Sequence, residues 1–403
     1  MIKQLAGLAI LLSLARPHRC PAQTVPDSLR TRAIAILMTV PLIDGHNDIP
    51  DAIRERGGLD SVDFAVSQPK LMTDLPRLRA GHVAGQFWAA YVPTTTMDSG
   101  QHPAVYALEQ IDLVHRLCST SRSMAMAYTA ADVEHNFAAR KFSCLIGIEG
   151  GHAIENSLGA LRMFYDLGAR YMTLTHWRSL DWAVASTDTS HRGLSAFGKQ
   201  VVLEMNRLGM LVDLSHVNDQ TMSDALHTSR APVIFSHSSA RALTNHPRDV
   251  PDSILKLVAT NRGIVMVNFN PGFVSEAVRV YGDSVDARLE QLRAEGADSA
   301  TRADSVNVWN ARGPHATLQQ VADHIEYIRK VAGVDCVGIG SDFDGITDVP
   351  VGLEDVSKFP DLIAELLRRG WSTADVRKVA GLNILRIMRA AEQVARTSRQ
   401  QKQ

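Results

Sequence analysis

A closed (β/α)8 TIM barrel is the fold class this sequence predicts, and three observations predict it. Eight short apolar runs rich in β-branched residues recur along the 403 residues. Amphipathic stretches of helical period separate them, and polar side chains able to bind metal stand at the C-terminal ends of most runs. Strands alternating with helices imply right-handed crossovers and a parallel sheet, and eight such units suggest closure into a barrel. An open doubly wound sheet is the alternative built from the same units.

In chain order the runs are VPLIDGH, GQFWAAYVP, FSCLIGIEGG, YMTLTHW, MLVDLSH, PVIFSHSS, GIVMVNFNP and CVGIGSDFDG. Short apolar runs bounded by turn residues read as strands covered on both faces. The helices between them include PAVYALEQIDLVHRL, LGALRMFYDLG, AFGKQVVLEMNRLG, DQTMSDALHTS, PDSILKLVATN and LQQVADHIEYIRKVAG. Gly168, Gly209 and Gly333 close three of these, as expected where a helix leaves through a left-handed residue. Two stretches exceed a minimal barrel: an excursion over 51–84, and a charged helical insertion over 276–315 between the seventh and eighth strands. Residues 23–403 are therefore expected to form one catalytic barrel domain.

The composition, 45% hydrophobic and 21% charged, suits a globular chain with a sizeable core. A formal net charge of −1 leaves no excess of Lys or Arg to neutralise a phosphate backbone, so nucleic acid is not an expected partner. Lys3, the apolar run from Leu5 to Ala15 and small residues near Ala15 and Ala22 have the layout of a signal peptide over 1–22. The run is shorter than the roughly 20 residues a spanning helix requires. The expectation is an exported protein, periplasmic or secreted, with no stable membrane anchor; the polar tail TSRQQKQ does not resemble a lipid-anchor signal. Beyond Cys20 the thiols are Cys118, Cys144 and Cys336, too widely spaced for a framework or a CxxC site. Cys144 and Cys336 sit in apolar runs, which favours core packing, and at most one bridge can form among the three.

His46, Asp48, Glu149, His176, His216, His237, Asp342 and Asp344 all stand at or just beyond strand ends. In a parallel barrel those ends converge on one face, where active sites are built. One strand-ending His is ordinarily a hydrogen-bonded structural residue, and one such acid ordinarily caps the next helix. Repetition around the whole barrel points instead to a shared site. Imidazole and carboxylate are the donor set of hydrolytic zinc sites, and two ions need a shared carboxylate. Glu149, alone at its strand end beside two glycines, suits that bridging place. His152, three residues on, is expected at a helix start or behind the ligands.

The segments DGHNDIP, GIEGGHAI, LTHW, VDLSHV, IFSHSSARAL and GIGSDFDGI, in this order, resemble the membrane (renal) dipeptidases, a zinc-dependent branch of the amidohydrolase-like barrels. The resemblance spans roughly residues 40 to 390. It implies that His46 and Asp48 bind one Zn²⁺, that His216 and His237 bind a second, and that Glu149 bridges the two. It further implies that His176 binds substrate and stabilises the oxyanion, that Arg248 in HPRDVP holds the terminal carboxylate, and that Asp342 moves protons. Asp344 competes for the last role. The implied reaction is hydrolysis of dipeptides, L,L and L,D, by a metal-bridging hydroxide, and the implied assembly is a homodimer.

The chain departs from the vertebrate members in lacking a lipid-anchor signal and the cysteines flanking the substrate histidine; THWRSLDWAVAS, with Trp177 and Trp182, stands there instead. The remaining pattern looks like the bacterial secreted relatives. Two other readings remain open. One is a barrel hydrolase acting on lactones, cyclic amides or phosphoesters. The other is an exported dipeptide- or zinc-binding protein without catalysis.

Overall fold

The computed structural model describes residues 27–98 and 100–401; the expected signal peptide over 1–22 lies outside them. Eight parallel strands form the barrel: β1 (Leu42–Asn47), β2 (Val83–Tyr91), β3 (Phe142–Glu149), β4 (Ala169–Thr173), β5 (Leu211–Asp213), β6 (Ile234–Phe235), β7 (Ile264–Val267) and β8 (Val337–Ile339). Each pairs with the next, and β8 returns to β1 through Ile339 and Asp44, which closes the ring. These are the eight apolar runs of the sequence.

Side chains alternate along each strand, so one set points into the barrel and the other under the helices. Ile43, Phe87, Leu145, Tyr171, Leu211, Ile234, Ile264 and Met266 share the inner cluster. Their neighbours Leu42, Trp88, Ile146, Met172, Val212, Phe235, Val265 and Ile339 belong to the outer one, beneath the helices. Continuing inward by twos from the lower layer reaches Glu149, Thr173, Asp213, Ser236 and Asn268. The barrel is thus apolar at its base and polar toward the strand ends.

All six sequence-predicted helices are present, from Pro103–Ser119 to Leu318–Ala332. Ser195 and Thr317 each accept a backbone N–H at the start of their helix, and Gly209, with φ of 91°, ends one. Side-chain caps of this kind satisfy donors that the first turn leaves free. The insertion forms two helices, Glu276–Ala294 and Ser299–Asn310. No helix among the described residues is long and apolar enough to cross a membrane.

Three features stand outside the sequence-based reading. A short strand, Met124–Met126, pairs only with Phe142–Cys144 at the start of β3. A long helix, Asn383–Gln400, adds Ile384, Leu385, Ile387 and Met388 to the inner cluster and so seals the base of the barrel. Cys144, expected as a core thiol, is instead disulfide-bonded to Cys118, with Cα atoms 6.2 Å apart; Cys336 is buried and, among the described residues, free. The helix Pro103–Ser119 folds back along β3, and its last turn brings Cys118 to the strand.

Candidate metal centre

The top of the barrel gathers the expected ligands. Glu149 ends β3 with its side chain 5% exposed, and its two oxygens face different groups. Oε2 lies 3.5 Å from His46 Nε2, which is itself 3.2 Å from Asp48 Oδ2. Oε1 lies 3.0 Å from His216 Nε2 and 3.4 Å from His237 Nε2. One carboxylate therefore stands between a His–Asp pair and a His–His pair.

Buried hydrogen bonds set the ring orientations. Asp213 accepts from Thr173 Oγ1 and Ser236 Oγ, each at 2.6 Å, and Ser236 Oγ lies 2.8 Å from His237 Nδ1. Because Ser236 donates to Asp213, it accepts the Nδ1 proton, which leaves a lone pair on His237 Nε2. Tyr171 OH, 2.7 Å from His46 Nδ1, stands behind the other ring in the same way. A Cβ on Gly147 would meet the Tyr171 ring at 1.9 Å, so glycine there makes the room this phenol needs. Asp44 plays the matching part under β1, accepting from Ser341 Oγ at 2.6 Å and Gln86 Nε2 at 2.9 Å; burial pushes it up to about 6.

The charge balance calls for cations. Asp48, Glu149 and Asp342 converge on His46 Nε2 at 3.2, 3.5 and 3.9 Å. Burial pushes Asp48 and Asp342 above the usual carboxylate range. Burial acts the same way on Glu149, but the surrounding imidazoles outweigh it and hold that carboxyl well below the range. Buried carboxylates without a counter-ion cost several kcal/mol each, and among the described residues His46 Nε2 has no hydrogen-bond partner. His216 and His237 bring their Nε2 atoms within 2.9 Å of each other, where the His237 lone pair needs a proton or a cation. The donor set thus fits two divalent ions that share Glu149.

Around this centre lies a cavity of about 370 Å³ lined by Tyr91, His176, Trp177, Arg248, Phe273 and Asp342, among others. His176 Nε2 is 3.8 Å from Glu149 Oε1, and burial lowers its ring to about 4, so it is neutral at neutral pH. Arg248, 1% exposed, is a pocket residue, and no ion pair with its neighbour Asp249 is found among the described residues. Its Nη1 donates to Ser238 Oγ and Nη2 to the His237 carbonyl, both at 3.2 Å, and its Nε has no partner among the described residues.

The two competing aspartates separate. Both adopt left-handed backbone, with φ of 65° and 67°. Asp342 Oδ2 accepts from Asn268 Nδ2 at 2.9 Å, and Oδ1 faces His46. Asp344 Oδ1 accepts the Met72 N–H at 2.7 Å and so braces the 51–84 excursion. His152 sits in the short helix Gly151–Ile154, as expected of a helix start. Trp177 lines the pocket, whereas Trp182 is buried against Phe197.

Sequence reading missed Tyr171, Asn268, Ser236 and Asn47. The first three face into the barrel from within or at the end of apolar runs, where residue type alone gives no signal until the neighbouring strands are placed. Asn47 donates to Thr73 Oγ1 at 2.8 Å and accepts the Ile49 N–H at 2.9 Å, which ties the loop after β1 to the excursion.

A closed parallel barrel with buried imidazoles and carboxylates around a shared Glu is a centre of the kind that metal-dependent hydrolases use. The family model of membrane dipeptidases, peptidase family M19, matches residues 30–402, and the chain belongs to that family. It is 40% identical to Dipeptidase 3 of Mus musculus over 378 residues, which cover 92% of this chain and 68% of the relative. In structure it is similar to the probable dipeptidase PvdM of Pseudomonas aeruginosa, with a TM-score of 0.80 at 24% identity over 92% of this chain and 100% of that one. It is also similar to a metallopeptidase of Rhodobacter sphaeroides liganded with a phosphinate mimic of the dipeptide L-Ala-D-Ala. That match has a TM-score of 0.70 at 27% identity and covers 87% and 99% of the two chains. The chain is accordingly a metallo-dipeptidase.

Proposed function

We propose that this metallo-dipeptidase is a binuclear zinc enzyme that hydrolyses L,L- and L,D-dipeptides with a free C-terminus. The observation that carries the proposal is the two-sided placement of Glu149 between His46–Asp48 and His216–His237. The imidazole and carboxylate donor set supports zinc. The L,D reading rests on the phosphinate mimic bound by the R. sphaeroides relative.

Zinc held by these five residues would acidify a water and polarise the scissile carbonyl. Arg248, flanked by the Trp177 and Phe273 rings at 5.9 and 5.4 Å, binds the terminal carboxylate and holds the substrate in register. His176, kept neutral by burial, donates a hydrogen bond to the carbonyl oxygen as charge develops there. Asp342 takes a proton from the attacking water and returns it to the leaving nitrogen, while Asn268 fixes its second oxygen. We also propose export through residues 1–22, a reading that the Cys118–Cys144 bridge supports because such bonds persist in oxidising compartments.

The test is a substrate panel run before chelation, after it, and after zinc add-back. L-Ala-D-Ala and L-Ala-L-Ala are expected to be cleaved, to resist cleavage by stripped protein, and to be cleaved again on add-back. Turnover of only a lactone or a phosphotriester overturns the proposal, as does dipeptide cleavage that survives complete metal removal.

A further inference from the structure

We infer that Asp51 and Glu55 form a subsite selecting dipeptides whose amino-side residue carries a cationic side chain. The inference rests on the dipeptidase reading of the pocket and deepens it. Asp51 and Glu55 lie four residues apart on the helix Ile49–Glu55, hence on one face, and both line the same cavity as Arg248 and His176.

Neither carboxylate is neutralised from within the chain: among the described residues, neither forms an ion pair with Lys or Arg. Arg54, between them in sequence, turns to Glu109 at 2.6 Å and stacks on the Tyr106 ring at 3.9 Å. Asp51 Oδ1 accepts from Gln110 Nε2 at 2.8 Å and from Tyr106 OH at 3.3 Å. Those bonds hold the side chain in place, and Oδ2 has no hydrogen-bond partner among the described residues.

The barrel sets the direction. Gln110 also reaches the Tyr91 carbonyl, at 3.4 Å, so Asp51 sits beside the end of β2. Arg248 follows β6, four strands further around a ring of eight and therefore on the opposite side. Arg248 is a buried cation that lines this pocket, which fixes where the substrate carboxylate goes. A dipeptide anchored there, with its amide at Glu149 and His176, extends its amino-side residue toward the β1–β2 rim. A Lys or Arg side chain meets two open carboxylates there, an uncharged one gains nothing from them, and a Glu is repelled.

The experiment compares Arg-D-Ala, norleucine-D-Ala and Glu-D-Ala on the zinc-loaded protein and on the Asp51→Asn/Glu55→Gln double variant. The ratio of kcat/KM for Arg over norleucine is expected to be about tenfold, a partly screened pair of contacts, and to fall toward one in the variant. Glu-D-Ala is expected to be the poorest substrate of wild type and to improve in the variant. Calorimetric binding of the phosphinate isosteres of the same three dipeptides gives the same ranking without turnover, which separates failure of this inference from failure of the catalytic reading. Equal affinity for the Arg and norleucine isosteres in wild type overturns it. So does an Arg preference that survives in the variant, or a loss shared equally by all three ligands.

Discussion

Gly147→Ala adds one methyl group at the centre of the barrel and is expected to weaken the metal site without touching a ligand. The new Cβ would stand 1.9 Å from Tyr171 Cζ and 2.3 and 2.4 Å from the flanking ring carbons. Carbon atoms pack comfortably only from roughly 3.5 Å, so the ring must retreat by about 1.5 Å. Tyr171 is fully buried and packs on Phe87 at 5.1 Å between ring centres, which leaves it nowhere free to go. Overpacking of this kind costs about 1–3 kcal/mol. The same retreat carries the phenol oxygen away from His46 Nδ1, now 2.7 Å distant, and out of hydrogen-bond range. Losing the partner that orients a ligating histidine lowers metal affinity about 10–100-fold. Denaturant melts of the apo protein read the first effect, and zinc competition with a chromophoric chelator reads the second. Tyr171→Phe keeps the ring and removes only the hydroxyl, so it should show the affinity loss with a stability change of about 1 kcal/mol. Zinc affinity unchanged in both variants would refute the reasoning.

Glu149→Ala removes the shared carboxylate and is expected to reduce bound zinc from two ions to at most one, with dipeptide turnover lost and the circular dichroism of the barrel retained. Metal analysis beside activity checks it. His324 is 1% exposed, accepts the Ala240 N–H on Nδ1 at 3.0 Å, and is lowered to about 4 by burial. Between about 4 and the unfolded value near 6.5 the unfolded state binds more protons. The contribution of His324 to stability is therefore complete above about 6.5 and declines by about 3 kcal/mol as pH falls toward 4. Denaturant melts against pH should show this slope in wild type and a flatter one in His324→Asn, which keeps an acceptor for Ala240. Cys118→Ser opens a bridge between residues 26 apart and is expected to cost about 2–4 kcal/mol by the same melts, with reduced wild type falling to the same level.

The barrel was legible because its strands are buried on both faces and so stand out as apolar runs. The ligands were legible because their polar chemistry sits where those runs stop. Tyr171 and Asn268 were not, because inside a run a Tyr or Asn reads as an ordinary strand residue until the neighbouring strand is known. Asp342 and Asp344 could not be told apart, since two residues of left-handed backbone break the alternation that would have assigned their faces. Asp44 and Asp48 flank His46 symmetrically in sequence, yet Gln86 and Ser341, the latter nearly three hundred residues away, make Asp44 a brace and leave Asp48 to the site. The Cys118–Cys144 pairing depends on how one helix lies along one strand, which spacing does not encode. The short strand Met124–Met126 was not legible because Met-Ala-Met carries no β-branched residue to mark it as a strand.

The central claim is that Glu149 joins two metal ions. Anomalous diffraction at the zinc edge from zinc-loaded crystals tests it most directly. Two peaks are expected about 3.5–4 Å apart, one against His46 and Asp48, the other against His216 and His237, and both against Glu149. A single peak, or two peaks of which only one touches Glu149, would contradict it.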